Sequence, residues 1–262
     1  MEKQNKKIGL ALSGGAVLGI AHIGVIKALE ENNIPIDIVA GTSAGSAVGA
    51  FLAAGYTSER MFEIVKQLSW TKISKLTLPK LGLLDSSLLE RFIESELGPI
   101  DIPMLPKKFA AIAVELTSGT EKIFKYGPVS QAVRASCAIP GVFTPMVIDK
   151  KIFVDGGVLN FIPTNVVREM GAQCVIAVKL LPPVSTKKAP DSIIQVLITS
   201  SQLALNQIAL HAPNGDVTII PDLQGLNPHD FRQADALFQR GYDAARKSMT
   251  KIETAVWGVE KQ

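Results

Sequence analysis

The chain has 262 residues, of which 47% are hydrophobic and 19% charged, a composition that excludes disorder over most of its length. Its net charge of +3, from 27 basic and 24 acidic residues, is too mild to indicate a nucleic-acid-binding protein. Cys137 and Cys174 lie far apart and form neither a C-x-x-C metal motif nor a disulfide framework, so we expect reduced core cysteines. The length is typical of a single domain over residues 1–262.

Two uncharged stretches imitate membrane-targeting segments. Residues 9–26 follow several lysines, as in a signal peptide, and residues 38–58 approach the length of a membrane span. Both are rich in glycine and alanine, and both divide into a short strand, a glycine turn and a helix. We therefore expect a cytoplasmic protein, and a peripheral position at the inner membrane face stays open.

The first predicted strand and helix enclose a glycine loop. Residues 8–12 are typical of a buried strand and residues 20–31 have helical periodicity. The loop between them, Ser-Gly-Gly-Ala-Val-Leu-Gly, has backbone N–H groups that are suited to a phosphate or to an oxyanion. A dinucleotide-binding fingerprint needs glycine at position 16, where this chain has alanine, so nucleotide binding ranks as the third alternative.

The second predicted strand leads directly into Gly41-Thr42-Ser43-Ala44-Gly45. An apolar strand over residues 37–40 and an alanine-rich helix over 43–54 give this G-x-S-x-G the context of a nucleophile elbow. The helix directs its unpaired N–H groups and positive dipole end at the same turn. Ser43 is therefore a candidate nucleophile for acyl transfer.

The rest of the chain continues the alternation of helices and strands. The predicted helices cover residues 57–68, 85–97, 128–135, 163–170, 192–211 and 230–255. The predicted strands cover residues 109–116, 121–125, 151–154, 174–179 and 217–220. The largely apolar helix over 192–211 fits the core or a contact with a second copy of the chain, so the oligomeric state stays open, and a proline-containing connection from Leu181 to Lys188 precedes it.

Two further features bear on function. Between residues 69 and 84, apolar side chains alternate with Lys72, Lys75 and Lys80, a pattern that fits either a packed loop or a mobile lid that touches a lipid surface.

Asp155 ends a predicted strand and is followed by two glycines. This placement suits an active-site carboxylate and an ordinary turn residue equally well.

Four motifs in this order resemble the patatin-like phospholipase family, specifically its short bacterial members. They are Leu10-Ala-Leu-Ser-Gly-Gly-Ala-Val-Leu-Gly-Ile-Ala-His-Ile-Gly, Gly41-Thr-Ser-Ala-Gly, Ala135-Ser-Cys-Ala-Ile-Pro-Gly-Val-Phe and Val154-Asp-Gly-Gly. The resemblance implies an α/β fold, a three-layer α/β/α sandwich with a mostly parallel central sheet. It also implies a lipid acyl hydrolase of lysophospholipase or phospholipase A type, with no cofactor or metal, whose partner is an acyl-ester lipid or a fatty acid.

The same resemblance implies the roles of five residues. Ser43 is the nucleophile and Asp155 is its base, in a Ser-Asp dyad without histidine. The backbone of Gly14, Gly15 and Ala16 forms the oxyanion hole. A carboxylate can replace imidazole as the base because a serine hydroxyl needs only a neighbouring group that accepts its proton.

The chain departs from the family pattern at two positions of this loop. Ala16 stands where the family usually has glycine, and its N–H can serve as a donor provided that its φ is negative. Leu18 replaces the usual arginine or lysine and so removes a positive charge near the site. This loss motivates an alternative function, a lipid-binding or fatty-acid-binding regulatory protein with little turnover.

A Ser-Asp-His hydrolase is the other alternative, because Ser43, Asp155 and either His211 or His229 occur in its chain order. That fold needs several strands before its elbow, whereas a single βα unit precedes Ser43. The remaining histidine, His22, is expected to lie in the core. We expect medium-chain acyl esters or lysophospholipids as substrates rather than bilayer lipids, because no interfacial helix is evident.

Overall fold

One mixed β-sheet forms the centre of the structure, a computed structural model that describes residues 6–77, 81–181 and 193–258. Within these ranges the sheet has the strand order β10-β9-β1-β2-β5-β8-β7, and β6 pairs with β5. Its strands are β1 Ile8–Leu12, β2 Ile38–Thr42, β5 Lys108–Glu115, β6 Thr120–Phe124, β7 Met146–Ile148, β8 Lys151–Asp155, β9 Cys174–Val178 and β10 Val217–Ile219. A separate hairpin consists of β3 Lys75–Leu76 and β4 Leu84–Asp85.

Helices cover both faces of this sheet. They are α1 Ile20–Glu31, α2 Ala44–Ala53, α3 Ser58–Lys66, α4 Trp70–Ile73, α5 Ser87–Leu97, α6 Val129–Ser136, α7 Thr164–Glu169, α8 Ile193–His211 and α9 Ala234–Trp257. Alternate strand residues enter two separate apolar clusters: Leu10 and Val39 pack on the side of α1 and α2, whereas Ala11 and Ala40 pack on the side of α7. Burial on both faces explains why the parallel strands read as nearly continuous apolar runs. The predicted three-layer α/β/α fold with a mostly parallel sheet is confirmed.

The register along β5 brings two distant parts of the chain together. Residues 108–112 of β5 pair in parallel with β2, and the last pair joins Ile112 to Thr42. The next residue of β5, Ala113, pairs with Asp155 of the antiparallel strand β8. Because β2 and β8 follow one another along one edge of β5, the residue after Thr42 lies next to the end of β8.

The predicted elements agree with the structure where the apolar pattern is strong and differ where it is weak. The first strand and first helix begin and end at the predicted residues. The segment 69–84 was predicted as irregular, but its described part forms α4 and the β3–β4 hairpin, and β7 was not predicted. Residues 182–192, which include nearly all of the predicted proline connection and the first residue of the helix predicted over 192–211, lie outside the described residues. In the described part of the chain, no helix combines the length and hydrophobicity that crossing a bilayer requires.

Candidate active site

Ser43 occupies the sharp turn between β2 and α2. Its backbone has φ 54° and ψ −126°, and a non-glycine residue in such a region stores about 1–3 kcal/mol of strain. Four hydrogen bonds hold the turn: the Ser43 N–H donates to Ser136 Oγ at 2.9 Å, and the Ser43 carbonyl accepts from the Ser46 hydroxyl and from the N–H groups of Ser46 and Ala47. The strand, strained turn and helix of a nucleophile elbow are therefore present, as the sequence predicts.

The two glycines of the elbow are required by close backbone contacts. A Cβ atom at Gly45 would lie 2.3 Å from the carbonyl oxygen of Leu12, and a Cβ atom at Gly41 would lie 2.2 Å from the carbonyl oxygen of Gly45. Neither backbone oxygen can move without disturbing β1 or α2. The pentapeptide thus has glycine at its ends because the start of α2 packs directly on the end of β1.

Asp155 is buried at the end of β8, with 5% of its surface exposed. Its Oδ1 accepts a hydrogen bond from the N–H of Gly157 at 2.8 Å, and its carboxylate also interacts with the Ser43 hydroxyl. Burial raises the pKa of Asp155 from its ordinary 3.8 to about 6, although the interactions with Ser43 and Gly157 oppose the shift. The structure therefore brings the candidate nucleophile and the candidate base together, through the register of β5.

The glycine loop differs from its expected form at two of three positions. The Gly14 N–H donates to the carbonyl of Phe161 at 3.2 Å, so it is not free to bind an oxyanion. Within the described residues, no hydrogen bond engages the N–H of Gly15 or of Ala16. Ala16 has φ +50°, not the negative φ under which its N–H was expected to serve as a donor. The loop turns through the left-handed region after Gly15, where a side chain costs about 1–2 kcal/mol and glycine fits without strain.

Ser13 and His22 support this loop from the core side. His22 is completely buried, as predicted, and its Nε2–H donates to the Ser13 carbonyl at 2.9 Å. The Ser13 hydroxyl donates to the Gly14 carbonyl and accepts from the N–H of Leu180. Burial lowers the pKa of His22 to about 4, so its ring is neutral near pH 7. Leu18, also fully buried, leaves no cationic side chain at its position in the loop.

The last turn of α6 contacts the main chain of both candidate catalytic residues. Ser136 Oγ accepts the Ser43 N–H, and the carbonyl of Ala138 accepts the N–H of Asp155 at 2.9 Å. Between them, the Cys137 thiol contacts Ser46 and Ser43, and burial and the nearby Asp155 raise its pKa. Sequence reasoning used this segment only as a family motif and did not assign Ser136 a role. The motif itself was the available signal.

Removing the Ser136 hydroxyl should slow catalysis without weakening substrate binding. In Ser136→Ala the Ser43 N–H loses its acceptor, so the strained turn relaxes, and we expect kcat to fall roughly tenfold with KM unchanged, the cost of about one hydrogen bond. Steady-state kinetics with a soluble ester measure this. Ser130→Ala, at a buried position on the same helix, is the matched control and should leave kcat within about twofold. Equal losses of kcat in the two variants would contradict the role of Ser136.

An apolar cavity opens at Ser43. It has a volume of about 980 Å³, part of which is open to solvent, and the described residues that line it include no charged side chain. Ser43, Ser86 and Cys137 are the polar members of the lining, and helices α2, α3 and α5 supply part of its walls together with the glycine loop and the first turns of α1. Such a cavity is suited to a hydrocarbon chain and leaves a charged headgroup outside.

The three histidines do not join Ser43 and Asp155. His22 is bound to Ser13 as described above, and His211 Nδ1 is hydrogen bonded to the carbonyl of Gln207 near the end of α8. The ring of His229 lies 6.4 Å from that of Trp70. None of these contacts includes Ser43 or Asp155, so the geometry does not favour the Ser-Asp-His alternative.

The family model that describes the patatin-like phospholipase family matches residues 10–168, more than half of the chain. The chain belongs to the patatin-like phospholipase family. The match covers the glycine loop, the elbow, the last turn of α6 and Asp155, and it confirms the family predicted from the four motifs. Membership places this patatin-like chain in a family of lipid carboxylic ester hydrolases.

Curated relatives of this patatin-like chain occur in bacteria, fungi and mammals. An uncharacterized NTE family protein of Mycobacterium tuberculosis is 37% identical over 177 residues, which cover 66% of the chain and 49% of that protein. Lysophospholipase NTE1 of Candida albicans is 31% identical over 66% of the chain, and patatin-like phospholipase domain-containing protein 6 of mouse is 34% identical over 65%. Only 13% of each of these two proteins is covered. The chain thus spans about half the length of the mycobacterial relative and much less of the others.

Two crystal structures share the fold at low sequence identity. VipD from Legionella pneumophila aligns over 96% of the chain and 67% of its own, with a TM-score of 0.61 and 14% identity. The type III effector protein ExoU aligns over 95% of the chain and 53% of its own, with a TM-score of 0.53 and 14% identity. These likenesses support the fold of the patatin-like chain.

Proposed function

We propose that this patatin-like chain is a serine lipid acyl hydrolase, of lysophospholipase or phospholipase A type, with Ser43 as nucleophile and Asp155 as base. The observation that carries the proposal is the buried Asp155 beside Ser43, which itself lines an apolar cavity whose described lining residues are uncharged. The names of the fungal and mammalian relatives, a lysophospholipase and a phospholipase domain protein, support the same substrate class.

The proposed reaction has two halves. The Asp155 carboxylate takes the proton of the Ser43 hydroxyl as Ser43 Oγ bonds to the ester carbonyl carbon, and the carbonyl oxygen becomes an oxyanion. When the C–O bond to the alcohol breaks, Asp155 returns the proton to the departing oxygen and an acyl-serine remains. A water molecule then gives a proton to Asp155 as its oxygen bonds to the carbonyl carbon of the acyl-serine. The bond between this carbon and Ser43 Oγ breaks, the fatty acid is released, and Asp155 returns the proton to Ser43 Oγ.

The backbone N–H groups of Gly15 and Ala16 are the donors that we assign to the oxyanion. Although Ala16 has φ +50°, its N–H, like that of Gly15, makes no other hydrogen bond in the described structure, whereas the N–H of Gly14 donates to the Phe161 carbonyl. Gly14 then contributes through the shape of the turn, because a Cβ there would lie 2.9 Å from the Phe161 ring. Each such donor typically stabilises the transition state by about 3 kcal/mol.

Labelling with a fluorophosphonate tests the proposal. An activated Ser43 should be modified stoichiometrically, and Ser43→Ala should not react. Absence of labelling in folded protein would instead favour a lipid-binding module without turnover, the function suggested by Leu18. His211→Ala and His229→Ala should be labelled at the rate of the unsubstituted chain if the base is Asp155.

Activity should depend on pH through the ionisation of Asp155. Because the base must be a carboxylate and its pKa is about 6, kcat/KM should rise tenfold per pH unit below pH 6 and reach a plateau above it. A carboxylate with its ordinary pKa of 3.8 would give a flat profile over the same range. Initial rates with a soluble ester between about pH 4.5 and 8 distinguish these two results.

We also propose that the β3–β4 hairpin is where the chain meets aggregated lipid. Leu76 and Leu81 are 86% and 66% exposed, with the exposed Lys72 and Lys75 beside them, and the adjoining Trp70 lines the cavity. Apolar tips flanked by cations suit the surface of an anionic lipid aggregate. Lysophospholipids and medium-chain esters remain the substrates that we propose. Faster release of fatty acid from phospholipid vesicles than from a monomeric ester would contradict that preference.

A further inference from the structure

The cavity follows one face of α2 away from the nucleophile. Ala44, Ala47, Val48 and Phe51 all line it, at spacings that place them on one side of the helix. The three residues nearest to Ser43 are small, and the fourth is large. Phe51 lies eight positions after Ser43, a rise of about 12 Å along the helix.

The part of the cavity wall around Phe51 consists of well-packed side chains. The Phe51 ring contacts that of Tyr56 edge-on at 5.2 Å and lies 6.2 Å from that of Phe92. Phe51, Met61 and Ile93 are 7%, 2% and 1% exposed, and all three line the cavity. An aromatic ring held in this way cannot rotate aside without displacing its neighbours.

Other residues of the cavity lining are partly exposed. Trp70 and Phe231 line the cavity and are partly exposed, with their rings 5.3 Å apart. A substrate therefore has a path in from the side of these two aromatic residues, and its acyl chain extends along α2 towards Phe51.

We propose that Phe51 closes the acyl-chain pocket and limits the substrate to medium-chain acyl groups. An extended hydrocarbon advances about 1.25 Å per carbon, so the 12 Å between Ser43 and Phe51 hold about ten carbons. A longer chain meets the Phe51 ring before its carbonyl reaches Ser43. This inference deepens the proposed function and rests on it, and it makes Phe51 a specificity-determining residue.

Substitution of Phe51 should change chain-length preference in both directions. For 4-nitrophenyl esters, Phe51→Ala should raise the ratio of kcat/KM for the tetradecanoyl ester to that for the decanoyl ester by roughly tenfold or more. Phe51→Trp should shift the optimum towards the octanoyl ester. The ratio is informative because lost stability lowers both rates together and leaves the ratio unchanged.

Phe124→Ala is the matched control. Phe124 is also a buried phenylalanine, packed edge-on against Phe153 at 5.4 Å, but it does not line the cavity. Its substitution should leave the ratio as in the unsubstituted chain. An active Phe51→Ala or Phe51→Trp enzyme with an unchanged ratio would overturn the role of Phe51 alone. If instead no ester is cleaved and fluorophosphonate does not label Ser43, the proposed function fails and this inference fails with it.

Discussion

Replacing Asp155 with asparagine is expected to lower kcat by about 10²–10⁴-fold, the usual contribution of a general base. The amide keeps the size of the side chain and can still accept the Gly157 N–H, but it cannot take the proton of Ser43. Steady-state kinetics with a soluble medium-chain ester measure the loss. KM should change little, because Asp155 is not among the residues that line the cavity.

Matched variants locate the base. Ser43→Ala sets the residual rate without a nucleophile, and Asp155→Asn should approach it. The variants His211→Ala and His229→Ala should retain nearly the full kcat, since neither histidine contacts the pair. A large loss in a histidine variant, together with a nearly active Asp155→Asn, would transfer the role of base from Asp155 to that histidine.

The same asparagine variant is expected to be more stable than the unsubstituted protein at pH 8. The folded-state pKa of Asp155, about 6, lies above its ordinary 3.8, so the folded protein holds the proton more tightly than the unfolded chain does. The contribution of Asp155 to the free energy of unfolding is therefore fully present below about pH 4, where the side chain is protonated, and is lost as the pH rises through 6. A difference of about two pKa units corresponds to at most about 3 kcal/mol in the free energy of unfolding.

Thermal or denaturant unfolding at two pH values measures this effect. Asparagine carries no charge to bury, so Asp155→Asn should gain stability relative to the unsubstituted chain at pH 8 and little at pH 4. Ser43→Ala provides the control, because it removes the catalytic pair but keeps the buried carboxylate. If Asp155→Asn is the less stable protein at pH 8, the carboxylate is stabilised by its surroundings, contrary to the raised pKa.

The sequence predicts those elements in which the run of apolar residues matches the burial of the element in the folded protein. The strand at residues 8–12 and the helix at 20–31 are buried over most of their length, so hydrophobicity alone defines their ends. The G-x-S-x-G turn was recognisable because its glycines meet the backbone of β1 and α2, and only glycine satisfies both contacts.

Other features depend on contacts between distant residues and could not be read from a local pattern. Tertiary packing produces two such hydrogen bonds. The Gly14 N–H donates to the carbonyl of Phe161, 147 residues further along the chain, and the Ser43 N–H donates to Ser136. The positive φ of Ala16 breaks the local preference of alanine, and the surrounding structure imposes it. The β3–β4 hairpin was missed because its strands are two residues long, with Leu76 exposed and Leu84 only partly buried.

Mass spectrometry of the protein during turnover tests the central claim most directly. After brief mixing with a decanoyl ester and an acid quench, we expect a decanoyl group on the peptide that contains Ser43. The fraction of protein that carries this group should be larger when deacylation is slow. The adduct should be absent from Ser43→Ala. Turnover with the acyl group on another residue, or with no acyl-protein at any time point, would contradict the mechanism.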